Sequence, residues 1–287
     1  FFHKNGLKND FSILLSNPNS LTQNSSNTTE SQYRFLSAFL FETSYPLKKN
    51  NENYVDYLTP ILQLRYSPNK TKNIRDSDRR IDINNIYSFD RIGSTSTVEG
   101  GQSITLGSGY KRTDKNDNKL LGLDLATVFR DEINEDLPTK STIGNKSSDI
   151  VGNFYLKPNK FFNFEYNFSF DKDLNRSNYD SIKTEFNVNN FVTTFEYLEE
   201  NNLIGNESYI SNKTSYNFNK TNSINFSTRK NKKTDLTEFY NLIYQYQNDC
   251  LVAAIEYSKN YYADSDLKPS ENIFFSITLK PFGTTTG

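Results

Sequence analysis

From Phe162 to Asp171 the chain reads F-N-F-E-Y-N-F-S-F-D. Phe162, Phe164, Tyr166, Phe168 and Phe170 share one parity, and Asn163, Glu165, Asn167, Ser169 and Asp171 share the other. An extended strand sends successive side chains to opposite faces, so this segment has one apolar and one polar face. A helical period of about 3.6 residues would scatter the same aromatics around a whole circumference. A tilted strand of about 9–11 residues also spans the apolar layer of a bilayer.

The pattern repeats. Ile104, Leu106 and Tyr110 alternate with Thr105 and Gly107; Phe186 and Val188 alternate with Glu185, Asn187 and Asn189. Phe191, Phe195 and Tyr197 resume it after Asn190. Tyr216 and Phe218 flank Asn217, and Ile224 and Phe226 flank Asn225. Tyr240, Leu242, Tyr244 and Tyr246 share a face, as do Leu251, Ala253, Ile255 and Tyr257. Phe275, Ile277 and Leu279 oppose Ser276, Thr278 and Lys280. Roughly 13 such segments of about 9–12 residues are predicted, the reach of outer-membrane strands.

Earlier in the chain, Phe11–Leu15 reads as a strand and Ser16–Glu30 as a polar loop. Tyr33–Tyr45 and Tyr54–Tyr66 read as a strand pair around Lys48–Asn53, and Gly101–Lys111 and Lys119–Arg130 as another around Thr113–Asn118. Ser67–Ser96 and Asp131–Ser148 are long irregular connections, a kind that is usually functional or partly structured. Short turns are expected near Pro158–Lys160, Asn189–Asn190, Lys220–Asn222 and Asn248–Asp249. Longer connections are expected near Asp173–Asp180, Glu199–Glu207, Lys230–Asp235 and Ala263–Ser270. Alternating short and long connections are what a barrel with tight periplasmic turns and larger external loops requires. The expected class is all-β, an antiparallel transmembrane β-barrel. Residues 1–32 form its leading strand and loop, 33–283 its strands and loops, and 284–287 a tail.

Composition sharpens this. Only 34% of the 287 residues are hydrophobic, and mean hydropathy is -0.74, which alone would suggest disorder. Yet 23 Phe and 19 Tyr are present, and disordered chains are poor in aromatics. A membrane barrel reconciles the two, because only alternate residues meet lipid. No run approaches the ~18 apolar residues of a transmembrane helix. A soluble sandwich or barrel also has short strands and turns, but it would bury the aromatic parity. The net charge of -1 gives no sign of nucleic-acid binding. Arg229, Lys230, Lys232 and Lys233 read as a turn or loop. The chain holds no Met and opens at Phe1, which points to a fragment of a longer protein.

Catalytic chemistry is absent from the pattern. His3 is the only histidine, so no Ser-His or Cys-His set and no zinc site can be assembled, and no cofactor is expected. Gly100-Gly101 and Gly107/Gly109 lack the lysine and serine of a phosphate loop and read as relief of crowding or bends in strands. Cys250 stands alone in Gln247-Asn248-Asp249-Cys250-Leu251. One reading is a small buried hydrophobe. The other is a thiol at a turn facing an oxidising periplasm, where it would pair with another segment or chain.

Several motifs together resemble a known family. They are Tyr57-Leu58-Thr59-Pro60-Ile61-Leu62-Gln63-Leu64-Arg65-Tyr66-Ser67-Pro68; Val98-Glu99-Gly100-Gly101 with Thr105-Leu106-Gly107 and Tyr110; Asp149-Ile150-Val151-Gly152 leading to Leu156-Lys157-Pro158; Tyr246 to Leu251; and Phe274 to Gly283. In order and spacing they are similar to the C-terminal part of the lipopolysaccharide-assembly family LptD, also called organic solvent tolerance. The resemblance spans roughly Tyr33 to Gly283. It implies a barrel with about twice as many strands and a periplasmic jellyroll upstream.

The resemblance further implies an outer-membrane translocon in a Gram-negative bacterium, not an enzyme, that inserts lipopolysaccharide into the outer leaflet. The lipid part would leave through a gap between first and last strands while the sugars pass through the lumen. Ile273, Phe275, Ile277 and Leu279 of the last strand would form one side of that gate, and Cys250 would make an inter-domain disulfide. Implied partners are lipopolysaccharide, an LptE-like plug lipoprotein, periplasmic bridge proteins and the barrel-assembly machinery, with no nucleic acid. A general diffusion porin remains the alternative, and a β-rich surface or adhesin domain a third.

Overall fold

The computed structural model describes residues 3–4, 6–23, 29–33, 35–94, 96–139, 141–201, 207–261 and 268–280. Among them lie seventeen strands: β1 Lys8–Ser16, β2 Asn19–Gln23, β3 Thr29–Tyr33, β4 Leu36–Ser44, β5 Leu47–Asn50, β6 Tyr54–Ser67, β7 Gly101–Asp114, β8 Lys119–Arg130, β9 Ile150–Asn159, β10 Phe162–Phe170, β11 Ser177–Val188, β12 Phe191–Glu200, β13 Ser208–Asn217, β14 Asn222–Asn231, β15 Leu236–Gln247, β16 Leu251–Asn260 and β17 Ser270–Leu279. Fifteen join one sheet in the order β1-β4-β6-β7-β8-β9-β10-β11-β12-β13-β14-β15-β16-β17, with β5 beside β6. These pairings are antiparallel and, apart from β1–β4 and β4–β6, which skip the β2–β3 hairpin and β5, they join chain neighbours, the up-and-down order of an outer-membrane barrel wall.

The count exceeds the thirteen or so alternating segments because short strands carry little pattern. The expected Ser16–Glu30 loop instead holds β2, which pairs with β3 from Gln23↔Thr29 to Asn19↔Tyr33. The sequence of this hairpin, Asn19-Ser20-Leu21-Thr22-Gln23 and Thr29-Glu30-Ser31-Gln32-Tyr33, has no run of alternating apolar residues for the pattern to reveal. β5 lies likewise inside an expected turn. The connections expected at Asp173–Asp180 and Lys230–Asp235 shrink, because β11 starts at Ser177 and β14 runs on to Asn231. Arg229 and Lys230 are thus strand residues, and only Lys232 and Lys233 occupy the turn. The 263–267 part of the last expected connection, residues 281–283 and the 284–287 tail lie outside the described residues.

Turn chemistry follows local sequence. Asn189 adopts φ 54° in the two-residue turn between Val188 and Phe191, a left-handed position that Asn tolerates. The connections alternate except at 232–235, which was expected among the long ones but has four residues, no more than 115–118 or 218–221. Those at 115–118, 160–161, 189–190, 218–221 and 248–250 are tight, and those at 68–100, 131–149 and 201–207 are long.

The described residues form two compact units. In the unit comprising the chain up to Phe154 and Asn167–Asn178, apolar side chains of one parity are exposed. Phe11, Ile13 and Leu15 of β1, Leu58, Leu64 and Tyr66 of β6, and Ile104 and Leu106 of β7 belong here. The opposite parity is polar and buried: Gln63, Arg65 and Ser67 on β6, Ser103 and Thr105 on β7, and Arg130 on β8. A water-soluble sheet has the reverse arrangement. The buried apolar residues are few. Ile81, Ile86, Ile92, Leu137 and Ile143 come from the two long connections and pack with Ala126 and Val128 of β8 and Val151 of β9. Segments 68–100 and 131–149 therefore lie on the inner face of the wall.

The second unit comprises Tyr155–Tyr166, Tyr179–Asn201 and the described residues after 206. Its apolar parity is again exposed: Phe186, Phe195, Ile210, Tyr216, Leu242, Tyr244 and Ile255. Its other parity carries polar pairs such as Ser215 with Asn225 at 2.6 Å and Asn241 with Glu256 at 2.8 Å. The polar groups on the outer face bond one another. Thr193 and Thr214 hydroxyls lie 2.7 Å apart, and Asn212 donates to Thr193 at 3.0 Å. In lipid, where no water competes, polar groups must be satisfied in this way.

Candidate functional site

Segment 68–100 is fastened to the wall through one carboxylate. Arg65, Ser103 and Arg130 stand in one row across β6, β7 and β8, because Arg65 pairs with Ser103 and Ser103 with Arg130. Glu99, the last residue but one before β7, is fully buried beneath this row. Arg91 grips both its oxygens, with Nη2 at 2.6 Å from Oε1 and Nε at 2.8 Å from Oε2. This is the bidentate geometry that makes guanidinium–carboxylate pairs strong. Arg130 reaches the same Oε1 and also donates to the Gly100 carbonyl. Arg65 donates to the carbonyls of Glu99 at 2.6 Å and Phe89 at 3.2 Å. Arg91 completes the web with Ser103 at 2.7 Å and Thr105 at 3.2 Å.

Glu99 lies outside the membrane-crossing strands. Burial works against its ionisation, but Arg91, Arg65 and Arg130 outweigh that and hold its carboxyl down at about 2. Gly101 follows with φ +85°, a left-handed conformation that glycine takes freely and that starts β7. Gly107 permits a second close approach. A Cβ there would overlap the Tyr87 hydroxyl and come within 2.7 Å of the Leu125 carbonyl oxygen. The expectation that these glycines relieve crowding holds at Gly107.

Asp149 ties the end of segment 131–149 to the wall. Its Oδ2 accepts from Ser169 Oγ and Asn178 Nδ2, both at 2.8 Å.

In the second unit the structure brings Cys250 and the end of β17 together. Asn248 accepts at Oδ1 from the Cys250 and Leu251 amides, at 3.0 and 2.8 Å, closing the β15–β16 turn. The Lys280 amide donates to the Cys250 carbonyl at 2.8 Å, and its Nζ to the Asn248 carbonyl at 3.2 Å. Cys250 is exposed, which removes the reading of a buried hydrophobe. Among the described strands β17 pairs only with β16, from Asn260↔Ser270 to Leu251↔Leu279. Ile273, Phe275, Ile277 and Leu279 all project on one face and are 74%, 67%, 56% and 76% exposed.

Two of these groupings were anticipated, Cys250 and the apolar face of β17. The arginine clamp was not. Arg65 and Glu99 lie in two of the motifs that carry the resemblance, and the polar parity of Gln63, Arg65 and Ser67 signals an inward face, but Arg130 lies in none of the motifs and Arg91 sits in an aperiodic stretch.

The model of a family described as LptD, LPS transport system D, matches residues 12–231, well over half of the chain. The chain belongs to the LptD family. It is an antiparallel outer-membrane β-barrel chain with a role in lipopolysaccharide transport, and the family is one of transport. No protein of curated function matches the sequence. Two mutant porins from Rh. blastica are similar at 8% identity. One match covers 88% of this chain and 95% of that porin with a TM-score of 0.33, the other 89% and 95% with 0.34. A third mutant of the same porin has 9% identity, coverage of 88% and 95%, and a TM-score of 0.34. These scores are too low to bear on the assignment of this LptD-family chain, whose strand order and family match stand without them.

Proposed function

We propose that this chain is the C-terminal barrel portion of a translocon that inserts lipopolysaccharide into the outer leaflet of a Gram-negative outer membrane. The observation that carries the reading is the inverted wall of an LptD-family chain. Apolar side chains face outward while the inner face offers hydroxyls, amides and ion pairs to a sugar. Lipid and saccharide then travel in different media, the first along the outer face and the second along the inner one. β17 forms one side of the exit. An edge strand carries unpaired backbone groups, so the seam it makes is the weakest in a closed wall and the natural place to part. Cys250 forms a disulfide with the periplasmic domain, which its exposed position at a tight turn supports. An LptE-like lipoprotein, the periplasmic bridge proteins and the barrel-assembly machinery are the partners. No covalent bond of the cargo is made or broken.

The test is depletion of the full-length protein in cells, with lipopolysaccharide at the surface measured by accessibility to an outer-leaflet modifying enzyme. A photocrosslinking residue at Ile277 should capture lipopolysaccharide only while delivery proceeds. If surface lipopolysaccharide is unchanged on depletion, and the purified protein lets small sugars cross liposomes, the chain is a diffusion porin and the proposal fails.

A further inference from the structure

Lys48, Tyr57 and Lys111 stand side by side across β5, β6 and β7. Lys48 pairs with Tyr57, and Tyr57 pairs with Lys111, so all three side chains emerge on the inner face. Lys48 Nζ lies 5.5 Å from the Tyr57 ring centroid and Lys111 Nζ 4.8 Å from it. Neither ammonium takes part in an ion pair among the described residues. The ring quadrupole attracts each cation, but it leaves two like charges on one ring without an anion between them. On the outer face of the same strands the opposite holds. There Arg112 is matched to Asp56 at 2.8 Å, and Asp56 also accepts from Tyr110 at 2.7 Å.

Tyr57 and Lys111 line a recess of about 380 Å³, whose other lining residues include Thr59, Ile61, Ile83, Asn84, Tyr87 and Asp124. Lys48 stands next to the Tyr57 ring, outside that lining. The recess exists because the next row of the ladder is Thr59–Gly109–Asp124, whose centre has no side chain. Its roof is the Ile83–Tyr87 stretch of segment 68–100, the segment that the Glu99 clamp holds. The volume falls within the range of small-ligand pockets. Its lining combines a hydroxyl, an amide and a carboxylate with two phenol rings. Such groups bond sugar hydroxyls and cover the C–H faces of a pyranose. Asp124 repels an anion but accepts from hydroxyls, so it suits the neutral part of the ligand. The Lys111 ammonium in the lining, with that of Lys48 beside the same Tyr57 ring, suits a phosphate or carboxylate substituent.

We propose that this recess is a subsite for an anionic saccharide, with Lys48 and Lys111 on its acidic substituent and Thr59, Asn84 and Asp124 on its hydroxyls. The proposal rests on the transport reading and names the part of the cargo that the inner wall holds.

The test uses the full-length protein in detergent. The probe is the core oligosaccharide released by mild acid from a rough-type lipopolysaccharide, with and without phosphatase treatment. Calorimetric titration should show the Lys48→Gln/Lys111→Gln variant binding the untreated probe at least about tenfold more weakly than wild type. The Lys48→Arg/Lys111→Arg variant should stay within about threefold of wild type, which separates lost charge from lost fold. Phosphatase treatment that abolishes the difference identifies phosphate as the anion. A difference that survives treatment identifies a sugar carboxylate. Equal binding by wild type and Lys48→Gln/Lys111→Gln overturns the subsite, as does absence of binding by wild type. Either failure leaves the transport reading intact if depletion still strips lipopolysaccharide from the surface. If depletion does not, the transport reading itself falls.

Discussion

Replacing Glu99 by Gln tests whether segment 68–100 is a fixed part of the wall. The substitution keeps the shape and removes the one carboxylate that contacts two buried arginines. Breaking a buried pair by deleting one partner costs about 3–5 kcal/mol, since the other charge is left uncompensated. Here the lower end applies. Arg65 keeps the carbonyls of Phe89 and Glu99, Arg130 keeps that of Gly100, and Arg91 keeps the hydroxyls of Ser103 and Thr105. About 3 kcal/mol corresponds to a roughly 10²-fold rise in the population of the detached segment. Trypsin reads that population directly when opening and closing are fast relative to cleavage. Lys70, Lys72, Arg75, Arg79 and Arg80 offer sites within the segment. Native-state digestion of the detergent-folded protein should therefore cut Glu99→Gln in this stretch about a hundredfold faster than wild type, while the strands stay intact. Equal cutting rates, within about threefold, would show that the clamp does not hold the segment and would refute the reasoning.

The same carboxylate sets a pH dependence. Its folded pKa is depressed from 4.5 to about 2, so its contribution is complete above about 4.5 and disappears as pH falls through about 2. The urea midpoint of wild type should drop over that window, whereas the part of the drop due to Glu99 should be missing from Glu99→Gln; parallel curves would contradict this. Gly107→Ala drives a methyl group into the Tyr87 hydroxyl and the Leu125 carbonyl and should destabilise by about 1–3 kcal/mol in urea titration, with no effect counting against the packing described. Phe275→Arg, near the middle of β17, should cost about 2–4 kcal/mol in folding into lipid vesicles if that face meets the bilayer centre; a cost below about 0.5 kcal/mol would remove β17 from the lipid-facing wall. Cys250→Ser in the full-length protein should abolish the mobility shift between reduced and unreduced samples and impair lipopolysaccharide delivery; an unchanged shift would exclude Cys250 from any disulfide.

Much of the wall was legible because alternation over nine or more residues has a single reading, as at Phe162–Phe170 or Leu236–Gln247. Tight turns were legible for the same reason, since Asn-Asn and Asn-Asp interrupt two such runs. The β2–β3 hairpin was not, because a sequence without alternating apolar residues leaves no trace in hydrophobicity. The content of segments 68–100 and 131–149 was not legible either. Ile81, Ile86, Ile92 and Ile143 follow no period and find each other only through the wall behind them. In the site, Cys250 and β17 are local features of sequence. The Glu99 clamp and the Lys48–Tyr57–Lys111 row depend on register, which places residues 8–65 positions apart in one contact and is fixed only when the strands pair.

The every-second-residue spacing of the wall also governs the journey of the chain before it folds. Export machinery recognises hydrophobicity as an uninterrupted stretch, and this chain offers none of the ~18 residues that would stop it in the first membrane it meets. Its apolar side chains are interleaved with Asn, Ser, Thr and charged residues. The unfolded polypeptide therefore passes through water as a polar polymer with a mean hydropathy of -0.74. Only pairing of neighbouring strands gathers the hidden half of the residues into a continuous greasy surface. Amphipathicity is thus acquired at the destination and acts as a delayed address, written in the sequence but readable only once the sheet exists.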